Sequence, residues 1–76
     1  MSYVIKFIAK DSSDIEGYYT GKIYYYTKES VNVPGHVEEK THDKVKIYKT
    51  SKRAFNMAEK IVERCRFVTS FDIETY

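Results

Sequence analysis

The chain has little of the residue types that constrain a fold through covalent chemistry or backbone geometry. Its 76 residues include one cysteine, one proline, three glycines and no tryptophan. A lone cysteine excludes an intrachain disulfide, which is typical of proteins from a reducing compartment. Lys6 and Lys10 interrupt the apolar start, which therefore lacks the pattern of a signal peptide, and no segment is apolar enough to span a bilayer. We expect a cytoplasmic protein without membrane contact.

An excess of one charge is also missing. The chain has 13 basic and 11 acidic residues, and its formal net charge of +2 is too small to require nucleic acid as a partner. Aromatic residues are abundant, with eight tyrosines and four phenylalanines, and five of the tyrosines lie between Tyr18 and Tyr26. A domain of this size buries only about 60% of its unfolded surface. Aromatic rings must therefore fill much of its core.

Hydrophobic periodicity and turn residues predict an α+β fold with the element order β-β-β-α-β. We expect strands at residues 3–10, 18–28, 44–49 and 67–73, in a mainly antiparallel four-stranded sheet. The stretch 29–43 contains Pro34 beside Gly35, and we interpret it as an exposed, flexible loop. No linker or repeat divides the chain, which predicts one compact domain over residues 1–76.

The helix is expected to begin after Thr50 and to end near Cys65. The hydroxyls of Thr50 and Ser51 are suited to capping the first amides of a helix, which have no partner within it. Apolar residues then recur at helical spacing and form one stripe: Ala54, Phe55, Ala58, Ile61, Val62 and Cys65. Such a stripe predicts that the helix packs on one face of the sheet.

Side chains alternate between the two faces of a strand, so each strand divides into two sets. In the tyrosine-rich strand we expect Tyr19, Ile23 and Tyr25 to lie beneath the helix. The opposite side of the sheet, which we name the Lys/Tyr face, carries Lys6, Ile8, Lys10, Tyr18, Lys22, Tyr24, Tyr26, Lys28, Lys44, Lys46 and Tyr48. The first three predicted strands contribute no acid to it, so a nearly neutral chain would present one basic, aromatic surface.

Two interpretations of the Lys/Tyr face compete. Tyrosine and lysine are common on the solvated side of antiparallel sheets, where tyrosine favours strands and lysine protects exposed edges. The same residues also suit a binding surface, because tyrosine provides contact area at low entropic cost. The candidate binding residues are Lys6, Lys10, Tyr18, Lys22, Tyr24, Tyr26, Lys28, Lys46 and Tyr48.

A protein partner or a second copy of the chain is the first expectation for this face. Nucleic acid is the alternative, because stacking rings and lysines also suit bases and phosphates. It comes second because arginine, the usual base-reading residue, is absent from the face. All three arginines, Arg53, Arg64 and Arg66, lie in or beside the predicted helix.

No motif for catalysis, metal binding or a cofactor is present. His36 and His42 lie in an acidic stretch, but their spacing matches no pattern of metal ligands, and we interpret them as solvated loop residues. Cys65 completes the apolar stripe of the helix and is expected to be buried rather than nucleophilic. A chain this short could hardly enclose a catalytic pocket. We expect a non-enzyme without a cofactor or a small-molecule substrate.

The segment 44–61, KVKIYKTSKRAFNMAEKI, resembles the strand–threonine–helix unit of small accessory proteins from Gram-positive phages and mobile elements. Those proteins commonly pair a tyrosine-rich hairpin with a short helix and a closing strand, and the likeness extends over residues 18–73. The resemblance implies a viral accessory protein in the cytoplasm of a bacterial host. It also implies an inhibitor of a host defence system that acts on a protein surface.

The order of three strands before one helix is also similar to the arm-binding domains of tyrosine integrases. In that family the sheet enters the major groove of DNA. The resemblance implies that Lys22, Tyr24, Tyr26 and Lys46 would lie on the matching face. The predicted fourth strand after the helix is a departure from the integrase pattern.

Overall fold

The computed structural model describes all 76 residues and confirms the α+β fold. The strands are β1 (Tyr3–Phe7), β2 (Gly17–Tyr26), β3 (Val31–Val37) and β4 (Phe71–Thr75), and the helix is α1 (Ser51–Arg64). They follow the predicted order β-β-β-α-β and form one antiparallel sheet with the strand order β3-β2-β1-β4. The helix has 14 residues and is neither long nor apolar enough to cross a membrane.

The third strand is not where the sequence pattern placed it. Residues 29–43, predicted to be a loop, contain β3, which pairs with β2 from Tyr26↔Val31 to Tyr18↔Val37. Pro34 is tolerated because β3 is an edge strand, where a missing backbone donor need not interrupt the sheet. The Pro-Gly pair therefore lies within a strand, and the chain reverses at residues 27–30.

Residues 44–49, predicted to be the third strand, do not form a strand. They are instead held to the sheet by backbone hydrogen bonds. β1 and β2 pair only at Lys6↔Tyr18 and Phe7↔Gly17. Beyond these pairs, the Lys46 amide donates to the Tyr19 carbonyl at 2.9 Å, while Tyr48 exchanges two backbone hydrogen bonds of 2.8 Å with Tyr3. The segment thus bonds to both strands where they no longer bond to each other.

The main core lies between the sheet and α1, which packs on β1 and β4. Its fully buried members are Ile5, Phe7, Tyr19, Ala54, Ala58, Ile61, Cys65 and Val68. The rings of Phe7 and Tyr19 meet edge to face with centroids 5.8 Å apart. Burial of a side chain such as Phe7 stabilises the fold by about 1.5–3 kcal/mol. The predicted helix stripe is confirmed, except that Phe55 is 46% exposed.

The predicted start of the helix is also confirmed. Thr50 has an extended backbone, and its Oγ1 accepts a hydrogen bond of 3.2 Å from the Arg53 amide. At the other end, the Cys65 amide donates to the Ile61 carbonyl at 2.8 Å. Because the helix stops at Arg64, the chain can turn back and place β4 beside β1.

The outer half of the β2–β3 pair lies beyond β1 and reaches the C-terminal end of α1, where Asn32 bridges to Cys65 and its Nδ2 donates to the Arg64 carbonyl at 3.4 Å. We name residues 23–34 the distal hairpin. Its two strands pair with each other after an irregularity between Tyr19 and Ile23, where Gly21 adopts a positive φ of 94°. Tyr25 was predicted to lie beneath the helix, but it is 59% exposed because α1 packs on β1 and β4 instead. The molecule is correspondingly elongated, with extents of 39 × 22 × 21 Å.

Candidate binding site

A second, smaller core divides the Lys/Tyr face. Val45 packs on Val4 and Tyr18, with Val37 against them, so the chain that follows β3 covers part of this face. Tyr18 was predicted to stand exposed, but only 9% of it is accessible. Strand parity placed Tyr18 on the correct face and could not show that residues after β3 fold across it. The candidate binding residues of this face therefore lie in different local environments.

On the β1–β4 side, the face is electrostatically compensated. Lys6 Nζ lies 5.7 Å from the centroid of the Tyr18 ring, and the Tyr18 hydroxyl donates to Glu74 Oε1 at 3.0 Å. Lys40 Nζ lies 3.1 Å from the same oxygen, and Asp72 is the cross-strand partner of Lys6. The fourth strand therefore supplies acids to a face that lacks them on the other strands. These contacts stabilise the fold and leave little unpaired charge.

The pKa values of this cluster reflect the same contacts. Burial, followed by the hydrogen bond to Glu74, raises the pKa of Tyr18 above its usual value. For Glu74, burial acts to raise the pKa, but it is outweighed by the hydrogen bonds from Lys40 and Tyr18 and by the charges of Lys40 and Lys6. The net result is a lowered pKa for Glu74, whose carboxylate remains ionised at neutral pH.

Two further candidates lie away from the exposed face. Tyr48 packs against the main core, and burial followed by the proximity of Tyr19 raises its pKa to about 12. Its predicted outward position is wrong because residues 46–48 bond to diverging strands rather than continuing a flat sheet. Lys10 lies beyond the end of β1, where its amide donates to Asp14 Oδ2 at 3.0 Å in the following turn.

On the β2 side, the Lys/Tyr face is open and basic. Thr20, Lys22 and Tyr24 share one face of β2 and, together with Lys44, line a depression of about 250 Å³. Neither lysine forms an ion pair, since the lysine–carboxylate ion pair of the protein joins Lys40 to Glu74. Lysine without a nearby carboxylate remains available to an anionic group of a partner.

Lys46 does not line this depression, and its predicted place on the Lys/Tyr face is wrong. It shares the side of Tyr48, and its Nζ lies 5.8 Å from the centroid of the Tyr48 ring. A Cβ atom added at Gly21 would stand 3.4 Å from Cδ of Lys46. Strand parity places Tyr26 beside Tyr24, and Lys28 lies in the turn that follows. We name the surface around the depression the hairpin platform; it consists of Lys22, Tyr24, Tyr26, Lys28 and Lys44.

The three consecutive tyrosines of the distal hairpin are half exposed: Tyr24 by 50%, Tyr25 by 59% and Tyr26 by 51%. None of them stacks on another aromatic ring, since the aromatic pairs are Phe7–Tyr19 and Phe55–Phe71. Because neighbouring side chains alternate, Tyr25 is presented on the side opposite to Tyr24 and Tyr26. The hairpin therefore offers ring surface on both faces, and Tyr25 was not among the predicted binding residues.

The cysteine and the two histidines have structural roles: Cys65 is buried, and His36 and His42 contact backbone atoms. Cys65 is 2% exposed, and burial raises the pKa of its thiol, which favours the unreactive protonated form. His36 Nδ1 lies 2.9 Å from the Pro34 carbonyl oxygen, and His42 Nδ1 accepts from the Lys44 amide at 3.1 Å. No three side chains of histidine, cysteine, aspartate or glutamate come together as a metal site.

Comparison with protein-family models, curated proteins and solved structures finds no match to this chain. The likenesses to phage accessory proteins and to integrase arm-binding domains stay predictions. The function must therefore be argued from the surfaces described above.

Proposed function

We propose that the protein is a small non-enzymatic binding protein that contacts a partner protein through the hairpin platform. The observation that carries the proposal is a hairpin face on which half-exposed tyrosine rings lie among lysines without ion-pair partners. Tyrosine is enriched at the energetic centres of protein interfaces, because a rigid ring buries a large area at low entropic cost.

The charge of the platform defines the kind of partner surface. Lys22, Lys28 and Lys44 have no ion-pair partner in this chain, so an acidic surface would supply the missing counter-charges. Such complementarity mainly accelerates association and selects the partner, while the rings supply most of the contact energy. The compensated cluster around Glu74 is excluded from the contact surface on the same electrostatic grounds.

The biological setting of the proposal comes from the resemblance to phage and mobile-element accessory proteins. An inhibitor that occupies a protein surface in a bacterial cytoplasm needs a compact scaffold and an exposed contact surface, and it needs no catalytic residues. The hairpin platform would provide that contact surface, and α1 with the main core would support it.

Photo-crosslinking in cells that naturally express the gene tests this proposal. p-Benzoylphenylalanine placed at Tyr26, a half-exposed residue of the platform, should yield a discrete protein adduct, whereas the same group at Asn56, on the exposed side of α1, should not. Lys22→Glu combined with Lys44→Glu should abolish the adduct, and Lys52→Glu combined with Lys60→Glu on the helix should preserve it. Equal adducts from Tyr26 and Asn56 would refute the platform as the contact surface.

Nucleic acid is the second candidate, and the depression between Lys22 and Lys44 favours it. Two unpaired lysines beside the hydroxyl of Thr20 and the ring of Tyr24 offer the chemistry that binds a phosphate and its neighbouring base. Fluorescence anisotropy with labelled single-stranded and duplex DNA should then show affinity that falls steeply with salt. For B-DNA the slope of log K against log salt is roughly −0.9 per phosphate contact. Undetectable binding at low salt would exclude this candidate.

A further inference from the structure

β4 is an edge strand with one unpaired side. It pairs with β1 from Tyr3↔Thr75 to Phe7↔Phe71, and no strand lies on its other side. The Ile8 amide donates to the Ser70 carbonyl at 3.0 Å, and the Tyr76 amide donates to the Ser2 carbonyl at 2.8 Å. Ser70 and Tyr76 thus direct backbone groups towards the β1 side, and so do Asp72 and Glu74 by the alternation of an antiparallel ladder.

The same alternation directs the backbone groups of Phe71, Ile73 and Thr75 away from the sheet. Their N–H and C=O groups form a template for one further strand. The opposite edge is less available, because β3 contains Pro34 and its Asn32 bridges to Cys65 beside the end of α1. β4 has no proline or lysine to block strand addition.

A groove runs between this edge and the helix. It has a volume of about 330 Å³ and is lined by Glu59, Val62, Glu63, Thr69, Ser70 and Phe71. At the edge of the sheet, the Phe71 ring meets the half-exposed Phe55 ring edge to face with centroids 5.5 Å apart. An added strand would therefore find apolar surface beside the free backbone groups.

Two acidic residues of the groove define the charge of its occupant. Glu59 and Glu63 are spaced i, i+4 on α1, and neither forms an ion pair in this chain. Like charges at this spacing destabilise a helix slightly. A lysine or arginine of a partner would remove that repulsion. Asp72 adds a third exposed carboxylate on the other face of β4.

We propose that β4 binds an extended segment of a partner protein as a fifth strand, with a basic side chain between Glu59 and Glu63 and an apolar side chain against Phe71. A second copy of the chain fits less well, because pairing β4 with β4 would bring the acidic residues of both copies together. The site lies at the edge of the sheet remote from the distal hairpin, so it does not depend on the hairpin platform.

Two-dimensional 1H–15N NMR with the peptide acetyl-Val-Lys-Val-Lys-Val-Lys-amide tests the proposal. The amides of Phe71, Ile73 and Thr75 should shift in a saturable way and become protected from hydrogen exchange. A peptide with glutamate in place of lysine should not bind. Glu59→Gln combined with Glu63→Gln should weaken binding by roughly fivefold. Glu16→Gln combined with Glu29→Gln, which changes the net charge equally, should leave binding unchanged.

A second pair of variants tests the backbone contacts. Thr75→Pro removes one outward-facing N–H and should abolish peptide binding, whereas Thr75→Val keeps the N–H and should bind normally. N-methylation of the peptide amides that face β4 should abolish binding to the unchanged protein, which controls for any unfolding caused by the proline. Three results would each overturn the proposal: shifts confined to the hairpin platform, equal binding of the acidic peptide, or protection of the β4 edge by self-association.

Discussion

The hydroxyl of Tyr18 in β2 bonds to the carboxylate of Glu74 in β4, across the intervening strand β1. The two residues are 56 positions apart in the chain, and Lys40 joins the same carboxylate from the segment after β3. One carboxylate thus connects three distant parts of the sequence on the face opposite to the helix.

Removal of the Tyr18 hydroxyl should destabilise the fold. Tyr18→Phe keeps the packing of the ring on Val4 and Val45 but leaves Glu74 without one of its donors. A net loss of about 1 kcal/mol is expected in the free energy of unfolding, measured by urea denaturation. Tyr24→Phe is the matched control, because its ring is half exposed, and it should change the stability by less than about 0.5 kcal/mol.

Protonation of Glu74 should weaken the same cluster in acid. Its pKa is lower in the folded protein than its usual value of 4.5. The stabilisation is therefore fully present above pH 4.5 and is lost as the pH falls through the lowered folded-state pKa. Glu74→Gln should reduce the acid dependence of the unfolding free energy between pH 5 and about pH 2. An unchanged acid profile would show that the Lys40 and Tyr18 contacts do not stabilise the ionised carboxylate.

Tyr48 should limit the stability of the protein in alkali. Its pKa is raised from 10.0 to about 12, so the folded state holds this proton more tightly than the unfolded state does. The stabilisation is intact below pH 10 and declines as the pH rises towards about 12. Absorbance titration at 295 nm should show a late-ionising tyrosine that is missing from Tyr48→Phe. If Tyr48→Phe kept the full change in absorbance at high pH, the raised pKa would not belong to Tyr48.

The turn of the distal hairpin contains one strained residue. Ser30 has a positive φ of 53°, which costs a residue with a side chain about 1 kcal/mol and costs glycine little. Ser30→Gly should raise the melting temperature or leave it level, because the gain is partly offset by the greater freedom of glycine in the unfolded chain. Thr27→Gly, at a position without positive φ, should lower it. A larger loss for Ser30→Gly than for Thr27→Gly would contradict this account.

Gly17 should tolerate no side chain. It has a φ of 139°, and a Cβ atom there would stand 2.7 Å from the backbone oxygen of Val37. In Gly17→Ala, residue 17 must therefore keep a backbone angle that is unfavourable for alanine. Its Cβ would also clash with the backbone of β3, which is less easily moved than a flexible side chain. We expect a loss of at least about 2 kcal/mol in the unfolding free energy. Gly21→Ala, whose Cβ would meet only the flexible Lys46 side chain at 3.4 Å, should cost less.

The sequence predicts those parts of the fold that depend on local patterns. The capping hydroxyl of Thr50 and the apolar stripe from Ala54 to Cys65 identify α1, and strand parity places Ile5, Phe7 and Tyr19 in the main core. Each of these features requires only spacing along one element. The element order β-β-β-α-β was predicted correctly, although its third strand lies at Val31–Val37 rather than at residues 44–49.

β3 and the covered part of the Lys/Tyr face could not be predicted from such local patterns. Pro34 is acceptable only because β3 lies at an edge, and edge position is a property of the whole sheet. The burial of Tyr18 depends on Val45, which reaches it across the sheet from a segment that looked like a strand of its own. The division of the candidate site into a compensated part and a basic part arises from these long-range contacts.

The pairing of β1 with β4 also determines when the fold can be completed during translation. Residues 3–7 leave the ribosome well before their partners, residues 71–75, are synthesised. β2 and β3 are close in sequence, so the hairpin that they form can fold first. β1 keeps an unpaired edge until β4 has been synthesised. A nascent chain that stalls before residue 71 would expose this edge to other polypeptides in the crowded space around the ribosome.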